Sequence, residues 1–226
     1  DYLLGTALGR PLIAERIAHF AKKLGCDAIA HGATGKGNDQ LRFEKSWAYL
    51  APEIEVIAPW KKWDFTGRKE LIAYLATKGI AFENVEKLFS VDVNLFHRSC
   101  EGGVLENISK EYNPDAVYSW VATPEKALKD AVTVNLTFKN GLPTAINGKA
   151  MAPAALLTQL NQVAGAAGVG VLDLVEERTI GIKSRGVYET PGGTLLHLAV
   201  KNLKHLTWNR ELQTVARHLG ESYGAA

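Results

Sequence analysis

Nine residues, His31 to Asp39 (HGATGKGND), constrain this chain more than any other stretch. Before them, Asp27-Ala28-Ile29-Ala30-His31 reads as a short buried strand. After them, residues 38–50 read as a helix, with Leu41, Trp47 and Leu50 recurring on one side. Glycines at 32, 35 and 37 let the backbone turn tightly and approach a ligand closely. A helix that starts there points its free N–H groups and the positive end of its dipole at the turn, so an anion is the natural occupant. The loop is not a Walker A loop, because no Gly-Lys-Ser/Thr closes it, and it is not GxGxxG. Two readings fit the spacing: a ligand-binding loop, or a plain strand-to-helix turn. In the second, Asn38 or Asp39 caps the helix and Lys36 is a solvated charge.

The flanking pattern supports a layered fold. Residues 11–24 predict an amphipathic helix, with Pro11 in its first turn, an apolar stripe of Leu12, Ile13, Ile17, Phe20 and Leu24, and Gly25 as its stop. Ile54 to Ala58 predicts a second strand, closed by Pro59-Trp60. A third helix is predicted over 66–78, with Thr66 as cap and Gly79 as stop. Helix–strand–helix–strand–helix implies an α/β arrangement, a parallel sheet with helices packed on it. Past residue 84 the texture changes. VTVNLTF at 132–138, Asn140-Gly141 and 142–146 predict a β-hairpin. A helix is predicted at 153–165, extended stretches at 171–182 and 194–200, and an amphipathic helix at 208–219. This half reads as α+β with an antiparallel sheet. The expected domains are therefore 1–84 and 85–226.

Two other segments concentrate polar side chains. Ser90–Gly103 (SVDVNLFHRSCEGG) has no helical or strand stripe; it reads as a site, or as a capped turn with His97 satisfied in the core. Residues 176–191 (EERTIGIKSRGVYETP) place Glu176, Lys183, Arg185 and Tyr188 where they could line a polar pocket or form a mixed-charge edge strand. The 226 residues carry 26 basic and 24 acidic side chains, so no nucleic-acid tail is indicated, and no apolar run approaches membrane-span length. Cys26 and Cys100 form no CxxC pair, which argues against a zinc or redox motif and fits a reducing, cytoplasmic compartment. Cys26 is expected to be a small packed residue. The five tryptophans show no regular spacing and default to core or rim.

Taken together, six collinear blocks resemble argininosuccinate synthase: YLLGTALGRPLIA at 2–14, HGATGKGNDQLRFE at 31–44, VIAPW at 56–60, GRKELI at 67–72, the Ser90–Gly103 stretch, and GIKSRGVYETP at 181–191. The resemblance implies part of a parallel-sheet, Rossmann-like (adenine nucleotide α-hydrolase-like) nucleotide-binding domain followed by an α+β synthetase domain. It implies the AMP-forming ligation of citrulline and aspartate through a citrullyl-adenylate, with ATP and Mg²⁺ and no tightly bound organic cofactor. By resemblance, Tyr2, Ala7, Asn38, Arg42, Ser90, Ser99, Glu176 and Tyr188 match citrulline positions, and Thr34, Asn38 and Asp39 match aspartate positions. Gly32 matches a backbone contact to ATP. Ala7 stands where the family often has Ser, so a hydroxyl is lost there unless Thr6 replaces it. Glu177 stands where the family often has Asn. His97 and Cys100 keep a structural reading, no metal ligand and no general base are assigned, and a cytoplasmic homotetramer is implied.

The family's Ser-Gly-Gly-x-Asp-Thr/Ser loop, which grips pyrophosphate, does not occur in these residues. The sole methionine is Met151 and residue 1 is Asp. The chain is therefore expected to be the middle of a longer protein, without the family's C-terminal arm, and inactive or nearly so alone. Two other readings remain: a non-catalytic metabolite-binding or assembly module, and another AMP-forming enzyme such as a tRNA-thiolating one. The near-neutral charge weighs against the last.

Overall fold

The computed structural model describes residues 2–35, 37–65, 67–81, 89–177 and 181–225. The chain forms two compact units: Ala7–Ser90 with Glu176–Ser184, and Asp1–Thr6 with Val91–Val175 and Arg185–Ala226. The boundary expected near residue 84 lies outside the described residues.

In the first unit, helix α1 (Gly5–Leu24) starts before Pro11, not at it. Pro11 therefore lies inside the helix and brings no N–H for the Ala7 carbonyl. The side of α1 that packs also differs from the predicted one. Ala14, Ala18 and Ala21 are buried with Ile29, Trp47, Ala51 and Ile54. Leu12, Ile13, Ile17, Phe20 and Leu24 are exposed. Small alanines at i, i+4 and i+7 let the helix come close to its neighbours, and the Trp47 indole reaches across to donate to the Ala14 carbonyl at 3.0 Å. The helix ends in a Schellman turn: Gly25 has φ +65° and Cys26 N–H returns to the Ala21 carbonyl at 2.9 Å. Cys26 is thus exposed at a helix end rather than packed.

Strand β1 (Ala28–Ala30) leads to α2 (Asn38–Leu50) and then to β2 (Glu55–Ile57). β1 and β2 pair in parallel, Ile29 opposite Val56, as the alternation implied. α2 has the predicted span, but Phe43, Trp47 and Leu50 form its packed side, whereas Leu41 is exposed. Pro59–Lys61 is one 3₁₀ turn, and α3 (Arg68–Thr77) ends at Gly79, whose φ of +70° marks the expected stop. The proposed cap Thr66 lies outside the described residues.

The remaining elements are richer in antiparallel sheet. The Ser90–Gly103 stretch, which showed no strand stripe, contains β3 (Ser90–Val93) and β4 (Arg98–Glu101). After the short helix α4 (Pro114–Val117) comes the predicted hairpin, β5 (Leu136–Lys139) and β6 (Leu142–Ile146), turning through Asn140 (φ 52°) and Gly141 (φ 78°). A second turn of the same kind, Asn147-Gly148, adds β7 (Lys149–Ala150). Helix α5 (Pro153–Ala166) buries Leu156 and Leu160 on Ile146. Strands β8 (Val171–Glu177) and β9 (Lys183–Glu189) complete a sheet of order β3-β4-β9-β8, so β9 is interior and not an edge.

Helix α6 (Pro191–Thr207) covers the stretch 194–200 that the sequence reading made extended. Pro191 at its start and Gly192 N–H bonded to the Asn161 side chain at 2.9 Å set the helix, and Leu195 and Leu196 pack on the α5 core. The last helix, α7 (Arg210–Ala225), begins where Asn209 Oδ1 accepts from Leu212 N–H at 2.9 Å. Among the described residues no helix is long and apolar enough to cross a membrane.

Candidate functional site

The glycine loop leaves the parallel sheet at a defined point. His31 N–H donates to the Ile57 carbonyl at 3.1 Å, one residue beyond β1, and Gly37 N–H closes onto the Thr34 carbonyl at 3.2 Å. α2 starts at Asn38 behind an extended Gly37 (φ −107°, ψ 154°), and no side chain caps it. Neither Asn38 nor Asp39 is therefore the cap; both stand in the first turn, where backbone N–H groups lack intrahelical partners. Gly32 and Thr34 are exposed, while Asn38 and Asp39 are half-buried. Lys36 lies outside the described residues.

Asp39 is shared by two arginines. Its Oδ2 accepts from Arg10 Nη2 at 2.8 Å and its Oδ1 from Arg42 Nη1 at 3.3 Å. The side chains are 33%, 15% and 34% exposed for Asp39, Arg10 and Arg42. Arg42 reaches Asp39 because residues three apart share a helix face. Arg10 arrives from α1 and was not singled out by its sequence. Its only signal was a guanidinium three residues after Ala7, within the first family block. One further turn along α2, Glu44 accepts from Gln40 and Lys61 and faces the His31 ring. Burial pulls its pKa upward, but these three hydrogen bonds outweigh it and hold the carboxyl below its usual value. Of the other candidates in this unit, Ala7 is half-buried in α1, Ser90 is exposed at the start of β3, and Glu176 is half-buried in β8.

The candidates of the second unit are held differently. β4 and β9 pair so that Ser99 faces Tyr188 and Arg98 faces Glu189. Ser99 and Tyr188 are each only 2% exposed. The Tyr188 ring stacks on His97 at 5.4 Å and 21°, and Tyr2 leans on it at 4.6 Å. Thr6 Oγ1 lies 3.2 Å from His97 Nδ1, so that hydroxyl faces His97, which is fully buried as its structural reading required. This packing leaves no room at two glycines. A Cβ on Gly5 would sit 2.3 Å from His97 Cβ, and one on Gly186 would sit 2.5 Å from the Tyr188 hydroxyl.

Glu189, fully buried, locks the register. Its Oε1 accepts from the backbone N–H groups of Ser119 (2.8 Å), Trp120 (2.6 Å) and Val121 (2.9 Å). Its Oε2 accepts from Arg98, which also donates to the Val117 carbonyl at 2.7 Å. Sequence reasoning missed this residue, because nothing local shows that a turn 70 residues away will supply its donors. Cys100 beside it is buried, and burial pushes its thiol pKa up. Lys183 pairs with Glu177, and Arg185 grips Asp173 through two bonds of 2.9 and 2.8 Å. Among the described residues no three His, Cys, Asp or Glu side chains assemble as a metal-ligand set.

Comparison with known proteins decides the family. Residues 1–81 match the family described as "Arginosuccinate synthase N-terminal HUP domain", and residues 89–226 match the one described as "Arginosuccinate synthase C-terminal domain". The chain belongs to the argininosuccinate synthase family. A protein of Leptospira biflexa named "Argininosuccinate synthase" is 48% identical over 223 residues, which are 98% of this chain and 55% of that protein. Proteins of the same name from Cereibacter sphaeroides (51% identical over 224 residues, 98% of this chain and 54% of that protein) and Zymomonas mobilis (52% over 210 residues, 92% and 51%) are also similar. The chain spans about half the length of the curated relatives it matches. The Rossmann-like expectation for the front of the chain and the mixed fold of the rest both agree with these families and with the parallel and antiparallel sheets observed.

Proposed function

We propose that this chain carries the citrulline- and aspartate-facing part of an ATP-dependent, AMP-forming carbon–nitrogen ligase. The observation that carries the reading is the exposed glycine loop that opens α2, uncapped by any side chain and followed at once by Asn38, Asp39 and Arg42. A ureido carbon is a poor electrophile because its nitrogens donate into it. The ureido oxygen of citrulline attacks the α-phosphorus of ATP and pyrophosphate leaves. The aspartate amine then attacks the ureido carbon and AMP departs with that oxygen. Catalysis is chiefly orientation and charge placement. Mg²⁺ enters with the phosphates of ATP as part of the substrate.

In this reading Gly32 meets ATP through its backbone. Thr34 and Asn38 hold an aspartate carboxylate, and Asp39 faces the ammonium, its charge shared with Arg10 and Arg42. Arg42 offers donors to the citrulline carboxylate. Tyr2, Ala7, Ser90, Ser99, Glu176 and Tyr188 supply the other citrulline contacts, with Tyr2 the more accessible member of its aromatic group. Ala7 lacks the hydroxyl that a Ser would bring to this position. A boundary near residue 84, a cytoplasmic location and a homotetramer belong to the same reading; both cysteines are free thiols, which suits a reducing compartment.

Calorimetric titration of the chain with citrulline and with aspartate tests this. Both should bind. Asn38→Ala should weaken both, and Arg42→Ala should weaken citrulline roughly tenfold to a hundredfold, the loss of hydrogen bonds to a charged group. No binding of either amino acid by a chain that self-associates stably would point instead to an assembly module. Pyrophosphate release is not expected from residues 1–226 alone, which contain no Ser-Gly-Gly-x-Asp loop.

A further inference from the structure

We infer that His31 is a positioning residue for the glycine loop, a neutral imidazole protonated on Nε2 whose bare Nδ1 fixes the backbone at Ala33. The inference rests on the reading of that loop as the nucleotide contact, and it names the side chain that sets the loop's shape. Ala33 N–H lies 3.2 Å from His31 Nδ1. A backbone amide can only donate, so Nδ1 must be a lone pair and the ring proton must sit on Nε2. Nε2 in turn lies 3.3 Å from Glu44 Oε1, a carboxylate that accepts that proton's hydrogen bond. One tautomer satisfies both contacts; the other places two donors against each other at Ala33.

The ring is also held by its surroundings. Its side chain is only 6% exposed. Phe43 and Trp47, stacked on one another at 5.4 Å, stand 6.2 and 5.7 Å from it. Glu44 is itself fixed by Gln40 Nε2 at 3.1 Å and by the Lys61 ammonium. His31 therefore acts at two points. Through its own N–H it makes the last sheet bond, to Ile57, and through its ring it makes the first loop bond, to Ala33. Gly32 lies between those two points, and its peptide groups are aimed by them. A glycine has the widest backbone freedom of any residue, so an external hold is what makes its direction definite.

Two substitutions separate the two halves of the ring. Asn at position 31 can present an oxygen near the Nδ1 position but does not reach Glu44. Gln can reach toward Glu44 from the Nε2 position but leaves Ala33 N–H without its acceptor. On the whole chain, ATP titration should show His31→Gln weakened roughly three- to tenfold, one hydrogen bond's worth, and His31→Asn within about twofold. Nitrogen-15 NMR of the unsubstituted protein near neutral pH should show a protonated Nε2 and an unprotonated Nδ1. The Ala33 amide should exchange slowly in that protein and in His31→Asn, and fast in His31→Gln. A proton on Nδ1, or equal losses in the two variants, would overturn the inference. If the unsubstituted chain binds no ATP, the nucleotide reading falls; the Ala33 amide then decides the hold exerted by His31 by itself.

Discussion

The two units present their candidate groups in opposite ways. In the first, the loop after β1 and the start of α2 lie at the surface, and their charges are only partly covered. Arg10, Asp39 and Arg42 are exposed enough that their ion pairs contribute about 0–1 kcal/mol to stability. The fold beneath them rests on the alanine face of α1, Ile29 and Trp47, and the Trp47 ring stands 5.7 Å from the His31 ring. In the second unit, Ser99 and Tyr188 belong to the interior, in register with the buried Arg98–Glu189 pair. On the proposed reading, binding and stability should be separable in the first unit and tied together in the second.

Breaking the second unit gives the largest effect. Glu189→Ala strands the Arg98 guanidinium and three backbone N–H groups, and should lower unfolding free energy by about 3–5 kcal/mol, read by urea titration. Stability within about 1 kcal/mol of the unsubstituted chain would show that this carboxylate does not lock the register. Gly186→Ala drives a Cβ into the Tyr188 hydroxyl and should cost about 1–3 kcal/mol, with citrulline affinity falling in parallel. Affinity unchanged at that loss would separate Tyr188 from the binding surface.

The first unit should behave otherwise. Asp39→Ala is expected to change stability by no more than about 1 kcal/mol while aspartate binding is lost. A large drop in melting temperature with that substitution would merge the two cases. The smallest effect concerns Asp173, a control in the second unit. Arg185 holds its carboxyl below the ordinary value of 3.8. Such a group stabilises fully above its unfolded pKa, and the contribution fades as pH falls through the lower folded value. Thermal melts from about pH 5 downward should therefore show a smaller acid loss in Asp173→Asn than in the unsubstituted chain. Parallel acid limbs would remove the pair from the stability of this region.

Much of the first unit was legible because its signals are local. Strand, glycine loop and helix follow one another within 25 residues, and Gly79 stops a helix through its own φ. In the second unit, Asn140-Gly141 defines a hairpin by its own turn chemistry. The apolar side of α1 was misread because hydrophobicity ranks Leu and Phe above Ala, whereas close approach of a helix to its neighbours favours the small residue. The stretch 194–200 was misread because Thr-Leu-Leu-His-Leu-Ala-Val is apolar in both periods; the contacts to Leu160 and Asn161 that choose helix come from elsewhere in the chain. The candidate residues of the family blocks could be named from sequence. Arg10, His31 and Glu189 could not be given roles that way, since each acts on a group supplied by another segment.

The central claim is that the loop opening α2 receives the small charged substrates. Backbone amide NMR of the chain during aspartate and ATP titrations tests it most directly. The account predicts saturable shifts at Gly32, Thr34, Gly37, Asn38 and Asp39, with aspartate moving Asn38 and Asp39 and ATP moving Gly32. Saturable shifts confined to other segments, with these five amides unmoved, would contradict it.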